Sequence, residues 1–237
     1  MKSSHSGHRE RLRERFIRAG RNALADYELL ELLLFYAIPR RDVKGTAKNL
    51  LLRFGSLRGV LSAPVEQLIH SDGIGPGAAI LFQLFRELGL EFMTQELTEK
   101  PVLKSPDTLR RYLVTSFASC SEEELKLLLL DKDYRLLDVL TFPGTLNAVS
   151  ANRRELVHRL LTCRTVRQVI ISHNHLKEII PSMTDIRNTI VMKSILQELS
   201  ITLLDHIIVC GNRCMSIMKH SAMFTGDTSR QSSSRRH

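Results

Sequence analysis

The sequence predicts an α+β protein with an all-helical N-terminal half and a C-terminal half in which strands and helices alternate. Over residues 9–93 apolar side chains recur every three or four positions, which is the spacing of amphipathic helices. From residue 124 onward the apolar runs become short and are bounded by turn residues, as in strands. Because helical segments separate these runs, we expect the second half to form an α/β domain.

A change of composition near the middle of the chain predicts where the two domains meet. Residues 94–106 lose the helical spacing and contain two prolines, which favours a linker. We therefore predict a helical domain over residues 1–98 and an α/β domain over residues 105–222. The basic, serine-rich residues 223–237 are predicted to be a disordered tail.

Capping and stop residues predict the helices of the N-terminal domain. Asp26 is expected to cap a helix that ends before Pro39. A second helix follows over about residues 43–53, with Gly55 as its C-terminal stop. Ser56 is then expected to cap a short helix.

Gly73 and Gly75 separate a short helix from a longer one that begins near Pro76, which is a helix-hairpin-helix pattern. Glycines allow a tight turn and expose amide groups at a helix N-terminus, where a phosphate of DNA can bind. They also allow two helices simply to pack closely, and few basic residues lie beside the turn in the sequence. Both interpretations remain open for Gly73 and Gly75.

The C-terminal half contains four predicted strands and three predicted helices. Ser105 and Pro106 predict the start of the first helix. The strands are read from the runs ELKLLLLD, YRLLDVLTF, RQVIISH and ITLLDHIIV. The other helices are RRELVHRLLTC and MTDIRNTIVMKSILQELS. The expected buried face of the last helix consists of Ile186, Ile190, Leu196 and Leu199.

The formal net charge of +9 favours polyanionic partners such as DNA, RNA or an anionic surface. Residues 1–20 are strongly basic, although a solvated helix face explains that composition equally well. No apolar run approaches the roughly 20 residues needed to cross a bilayer, and the start lacks the apolar region of a secretory signal. We therefore expect a cytoplasmic protein without membrane contact.

Four cysteines in such a chain are expected to be reduced thiols rather than a disulfide framework. Cys210 and Cys214 lie close together, but no second cysteine pair is present to complete a structural zinc site. Their intervening residues predict a hairpin turn instead.

His173 and His175 follow a buried strand, and two positions apart on an extended chain they can project to the same side. Two imidazoles and the carboxylate of Asp185, with a fourth position left to water, are the ligands of a catalytic zinc site. Ser182 and Asp185 also have the spacing of a capping box, in which Asp185 needs no metal. The two interpretations are compatible, because a capped first turn determines where the acid points.

Several motifs resemble the RadC family of bacterial proteins. In the second half these are SHNH, PSMTD, EELKLLLLDKDYRLL, GTLNAVSANRRELVHRLL and LLDHIIV. In the first half GHRERLRERF, LADYELLELLL, AKNLLLRFGSL and GIGPGAA resemble the helical region of that family. The resemblance covers about residues 7–220. It implies a C-terminal JAB/MPN domain of cytidine-deaminase-like fold, with a mixed sheet flanked by helices, after a helix-hairpin-helix region.

The resemblance also implies roles for five residues. His173, His175 and Asp185 match the zinc ligands of the JAMM motif, and Ser182 matches its serine. Glu123 matches the upstream acid, which acts as general base, although the neighbouring glutamates leave room for a shift of one position. The implied reaction is the zinc-dependent hydrolysis of an amide or isopeptide bond in an unknown peptide substrate.

The loop after the second histidine departs from the family pattern. Residues 176–180 are Leu-Lys-Glu-Ile-Ile where the family has Pro-Ser-Gly-Asp-Pro, and the gap from His175 to Ser182 is one residue short. Two functions therefore compete. One is a zinc-dependent hydrolase, and the other is a non-catalytic, DNA-binding protein of the repair-associated kind with a degenerate or structural metal site.

Overall fold

The computed structural model describes residues 4–144, 153–163 and 165–220 of the chain. Helices form the N-terminal half, and a five-stranded mixed sheet with flanking helices forms the C-terminal half, which confirms the predicted fold class. The chain divides into two compact units, of which the first ends at Leu90 and the second begins at Glu91. The tail predicted to be disordered lies outside the described residues.

Helices of the first unit begin and end at the signals that the sequence carries. They are α1 (Ser4–Ala19), α2 (Asp26–Ala37), α3 (Lys44–Phe54), α4 (Leu57–Ser62), α5 (Val65–Ile69) and α6 (Pro76–Glu99), which continues beyond this unit. Gly55 adopts a left-handed φ of 77° and ends α3. The Gly59 N–H donates to the Ser56 hydroxyl at 3.0 Å, so the predicted cap of α4 is also confirmed.

Two predicted boundaries in this half are wrong. Asp26 is the first residue of α2 and not its cap, which is Ala25. The Ala25 N–H donates to the Glu28 carboxylate at 3.0 Å, which is the reciprocal bond of a capping box, and the alanine itself offers no side-chain acceptor to the first turn. Residues 94–99 continue α6, because glutamine, glutamate and leucine favour a helix even without an apolar stripe.

The core of the first unit is a single cluster of buried apolar side chains. Leu30 and Leu34 of α2, Leu50 of α3 and Phe82 of α6 are all buried in one cluster. None of the helices in the described ranges combines the length and the apolar character that crossing a bilayer requires.

A single mixed sheet with the strand order β2-β1-β3-β4-β5 organises the second unit. Its strands are β1 (Glu124–Leu130), β2 (Leu136–Pro143), β3 (Gln168–Asn174), β4 (Thr202–Cys210) and β5 (Arg213–Ser216). β3 and β4 pair in parallel, and the other neighbours are antiparallel. The accompanying helices are α7 (Pro106–Ser116), α8 (Arg153–Thr162), α9 (Met183–Glu198) and α10 (Ile217–His220). The four strands predicted from the sequence are thereby confirmed.

Helix α9 buries Leu196 as predicted, but its other buried residues are not those of the predicted face. Its buried residues include Asp185, Thr189, Met192 and Leu196, whereas Ile190 is 45% exposed. The apolar spacing predicted otherwise because it counted polar side chains as solvent-facing. Here Asp185 and Thr189 have polar partners inside the unit, and those contacts outweigh the burial of one isoleucine.

Leu127 lies at the centre of the sheet, and we expect Leu127→Ala to destabilise the second unit by about 2–5 kcal/mol. The side chain is fully buried and lies between Leu140 of β2 and Ile171 of β3. Its removal leaves a cavity that neighbouring strands cannot close. Urea denaturation followed by hydrogen exchange of β1 amides measures the change. Leu137→Ala, at a position 38% exposed on β2, is the matched control and should cost about 0.5 kcal/mol; equal losses would contradict this packing.

Candidate metal centre

Three side chains singled out by the sequence converge at one end of the sheet. His173 is the second-last residue of β3, and His175 follows that strand. Asp185 is in the first turn of α9. The two Nε2 atoms of the histidines are 2.8 Å apart. Asp185 Oδ1 is 3.4 Å from His173 Nε2, and its Oδ2 is 3.5 Å from His175 Nε2. One ligand atom from each residue thus lies within 4.8 Å of the others, as a shared metal ion requires.

Ser182 orients Asp185 through the predicted capping box. The Asp185 N–H donates to the Ser182 hydroxyl at 3.1 Å, while the Ser182 N–H and O–H donate to Asp185 Oδ2 at 2.8 and 2.6 Å. Burial alone would raise the pKa of the Asp185 carboxyl, but the N–H and O–H donors of Ser182, together with a proton on His173 Nε2 whenever that ring is charged, hold it well below its usual range. The carboxylate is therefore ionised and directed toward the histidines, so capping and ligand geometry coexist.

Two buried residues that sequence reasoning missed, His206 and Thr189, form hydrogen bonds on the Nδ1 side of His173, away from Asp185. His173 Nδ1 lies 2.8 Å from Nε2 of His206, and His206 Nδ1 lies 2.6 Å from the Thr189 hydroxyl. The Thr189 hydroxyl donates to the main-chain carbonyl of Asp185 at 2.6 Å. Burial, and then the neighbouring His173 ring, hold the pKa of His206 well below its usual value, so its ring is neutral.

The donor and the acceptor of each hydrogen bond in this series follow from the Asp185 carbonyl, where the series ends. A carbonyl oxygen only accepts, so the Thr189 proton points to Asp185 and the hydroxyl accepts from His206 Nδ1–H. Neutral His206 then has a bare Nε2, which accepts from the Nδ1–H of His173. The Nε2 of a neutral His173 consequently carries a lone pair toward Asp185 and His175.

His175 receives the same tautomer from the altered loop. Its Nδ1 lies 2.9 Å from the carbonyl oxygen of Glu178, which can only accept, so Nδ1 carries a proton and, in the neutral ring, Nε2 carries the lone pair. The His175 N–H donates to Val209 of β4 at 2.8 Å, which fixes the main chain where the strand ends. The loop that replaces the family's usual residues therefore supports the second histidine.

The donor set fits a divalent metal cation. In the tautomers described, the two Nε2 lone pairs face each other across 2.8 Å beside an ionised carboxylate. A proton shared between the two nitrogens or a metal ion would relieve the repulsion between such lone pairs, and two imidazoles with one carboxylate are a ligand set typical of zinc. His173 and Asp185 are buried, whereas His175 is only partly buried, so the site opens to solvent on the His175 side.

Glu123, the acid that the resemblance assigns as general base, is not one of the three clustered residues. It directly precedes β1, and its own main-chain carbonyl accepts from the Gly144 N–H at 2.7 Å. Leu125 pairs with His173, so extending the register by two residues sets Glu123 opposite His175 and on the same face of the sheet. The Asn174 side chain anchors this segment, because it accepts from the Glu124 N–H at 2.6 Å and donates to the Glu122 carbonyl at 3.0 Å.

Glu124, the alternative one position later, belongs to the opposite face. Its carboxylate contacts Lys126 Nζ at 3.3 Å, and the same ammonium group lies 5.1 Å from the centre of the Phe117 ring. Alternation along β1 therefore favours Glu123 over Glu124 as the acid that faces the histidines.

The structure brings more positive charge to the glycine hairpin than the sequence suggested. Gly73 has a left-handed φ of 81°, and a Cβ built there would meet Thr46 Oγ1 at 2.9 Å and Arg41 Nη2 at 3.8 Å. The turn thus needs glycine at residue 73, whereas Gly75 has open space around it. Arg41, from a loop more than 30 residues earlier, and Arg53, whose Nη1 donates to the Ser71 hydroxyl at 2.8 Å, both lie beside the hairpin, which adjacency in the sequence does not reveal.

Two models of known protein families match the chain. The model described as RadC-like JAB domain matches residues 103–222, about half of the chain, and includes the sheet and all three members of the histidine and aspartate cluster. The model described as UPF0758 N-terminal matches residues 4–80 of the helical half. These are the two regions whose motifs resemble the RadC family.

Proposed function

The chain belongs to the RadC family by its RadC-like JAB domain, and we propose that it is a zinc-dependent hydrolase of amide or isopeptide bonds. The observation that carries this proposal is the convergence of two imidazole Nε2 atoms and one carboxylate. Three protein ligands leave a fourth position open, which is typical of catalytic rather than structural zinc. Zinc in such a site lowers the pKa of bound water to about 7 and polarises a carbonyl.

Glu123 is the residue that we assign as general base. Its position opposite His175 supports a role in accepting the proton of the attacking water and passing it to the leaving amine. Ser182 is assigned to stabilise the oxyanion that develops on the substrate carbonyl. Its side chain is exposed, and its hydroxyl proton points to Asp185 Oδ2; a rotation about the Cβ–Oγ bond redirects that proton without moving the oxygen.

Hydrolysis of defined probes by the zinc-loaded chain tests this proposal. The probes are quenched fluorescent peptides and one peptide joined through a lysine side-chain amide. Their residues are apolar because Leu176, Ile180 and Met183 expose apolar side chains beside His175 and Ser182 in the chain. We expect cleavage that a chelator removes and added zinc restores. Cleavage that is equal with and without chelator, or no cleavage of any probe, would contradict the proposal.

A second candidate function is DNA binding by the helical unit. It is supported by the net charge of +9 and by Arg41, whose guanidinium lies beside the left-handed Gly73 turn before α6. Amide groups at the start of a helix and a nearby guanidinium are suited to a phosphate group. This function does not require the metal centre, so both functions can reside in one chain.

Salt-dependent binding to duplex DNA is the expected result for this second function. The logarithm of the binding constant should fall with that of the salt concentration, with a slope near −0.9 for each phosphate neutralised. Arg41→Ala should reduce the magnitude of the slope by about 1. Fluorescence anisotropy measures both, and Lys132→Ala, in an exposed turn of the other unit, is the control. Absence of binding at low salt, or equal slopes for native and Arg41→Ala chains, would rule out this role for the hairpin.

A further inference from the structure

We propose that Thr189 and His206 are positioning residues that hold His173 in the tautomer that binds metal. Both side chains are fully buried. Each of the three hydrogen bonds that link the Asp185 carbonyl, Thr189, His206 and His173 is 2.8 Å or shorter. The contacts stand independently of any ion, but their consequence for metal affinity rests on the proposed zinc centre.

The Thr189 hydroxyl is the part of this series of hydrogen bonds that sets its direction. With the hydroxyl present, His206 can protonate Nδ1 and leave Nε2 bare, and His173 must then protonate Nδ1. Without it, His206 Nδ1–H has no acceptor there, and the tautomer with the proton on Nε2 becomes the better one. His206 would then donate to His173 Nδ1, and the proton of His173 would move to Nε2, where it blocks the ligand atom.

Asp185 joins both ends of the arrangement. Its side chain faces the two histidine ligands, while its main-chain carbonyl accepts from Thr189, one helical turn later in α9. The same residue therefore supplies a ligand and anchors the hydrogen bonds that prepare another ligand. Because Thr189 and Asp185 share a face of α9, the position of that helix is coupled to the protonation pattern of His173.

A purely structural role for these residues makes a different prediction from a positioning role. Thr189 is almost the same shape as valine, so its packing against the core survives the change to valine. A structural role would lower stability alone, since one buried donor would be left unpaired. A positioning role would in addition weaken metal binding and move a proton between two nitrogens of His173.

Zinc affinity and the tautomer of His173 test the inference in Thr189→Val and Thr189→Ser. Affinity is measured by competition with a chromophoric chelator, and the tautomer by 15N chemical shifts of the ring in the metal-free chain at mildly alkaline pH. We expect Thr189→Val to bind zinc about 10- to 100-fold more weakly. It should also carry its His173 proton on Nε2. Thr189→Ser keeps the hydroxyl and should recover both properties, and Thr202→Val, exposed on β4, should match the native chain.

Each outcome decides for or against the inference. Native affinity and an Nδ1-protonated His173 in Thr189→Val would overturn it. Equal losses in Thr189→Val and Thr189→Ser would also overturn it, because the hydroxyl would then be irrelevant. If the native chain bound no zinc, the proposed hydrolase would fail, while the nitrogen shifts would still show whether Thr189 sets the tautomer of His173.

Discussion

Asp185→Asn is expected to leave the chain folded and to weaken zinc binding roughly 100- to 10,000-fold. Structural zinc binding is worth about 10–16 kcal/mol, so one of three protein ligands accounts for about 3–5 kcal/mol, at 1.4 kcal/mol for each factor of ten. Asparagine has the size of aspartate, and its carbonyl oxygen can accept from the Ser182 N–H as Oδ2 does. The amide group then takes the place of Oδ1 and presents its hydrogens toward His173 Nε2, where a metal ion needs a lone pair.

Chelator competition measures the affinity, and thermal unfolding of the metal-free chain shows whether the cap has survived. Asp133→Asn is the matched control, because Asp133 lies in an exposed turn where it pairs with Lys132. Its zinc affinity should equal that of the native chain. An unchanged affinity in Asp185→Asn would show that the carboxylate serves only as a helix cap.

Glu123→Gln should slow peptide hydrolysis by roughly 100- to 10,000-fold and leave zinc content unchanged. Glutamine fills the same volume but does not accept the proton of the attacking water. Glu123 lies outside the group of three whose ligand atoms converge, so metal binding does not depend on its charge. The measured quantities are kcat for the cleaved probe and zinc per chain.

Neighbouring glutamates are the matched controls for that substitution. Glu122 is exposed, and Glu124 pairs with Lys126 on the other face of β1, so neither glutamine variant should lose activity on this scale. A large loss in Glu124→Gln with normal rates in Glu123→Gln would shift the assignment by one residue and contradict the register argument. Loss of zinc from Glu123→Gln would instead make Glu123 a ligand.

Local chemistry made much of this molecule predictable. Gly55, Ser56 and Ser182 each occupy the helix position that their side chains favour, because capping depends on residues within one turn. The strands follow from short apolar runs, and the histidine and aspartate cluster follows from a motif contained in 13 residues. Asp26 was predicted as the cap but is the first residue of the helix. The acid that bonds the cap residue's N–H is Glu28.

His206 and Thr189 could not be found from local sequence, because the pairing register of the sheet determines which residue of β4 lies next to His173. His206 is 33 positions from His173 and 17 from Thr189. If side chains alternated regularly along β4, Asp205 would be on the same face of the sheet as buried Leu203 and would point toward the ligands. A register shift beside Val169 and Ile170 inserts one residue in β4, so His206 faces inward instead. The signal that was available is the single histidine within the apolar run LLDHIIV.

The same register shift explains the partner of Asp205. Asp205 is directed to the opposite face, where the Ser216 hydroxyl donates to it at 2.6 Å and the His206 N–H donates at 2.8 Å. Burial raises the pKa of the Asp205 carboxyl, although those two donors oppose the effect. One inserted residue thus separates an acid from the metal centre and supplies a neutral imidazole in its place.

The most direct test of the metal centre is the zinc content of the native chain after dialysis against metal-free buffer, measured by elemental mass spectrometry beside His175→Ala. Our account predicts about one zinc ion per native chain and almost none in the variant, because His175 Nε2 is one of the three candidate ligand atoms that the described residues bring together. Equal zinc in both chains, or none in the native chain even after zinc is added back, would contradict it.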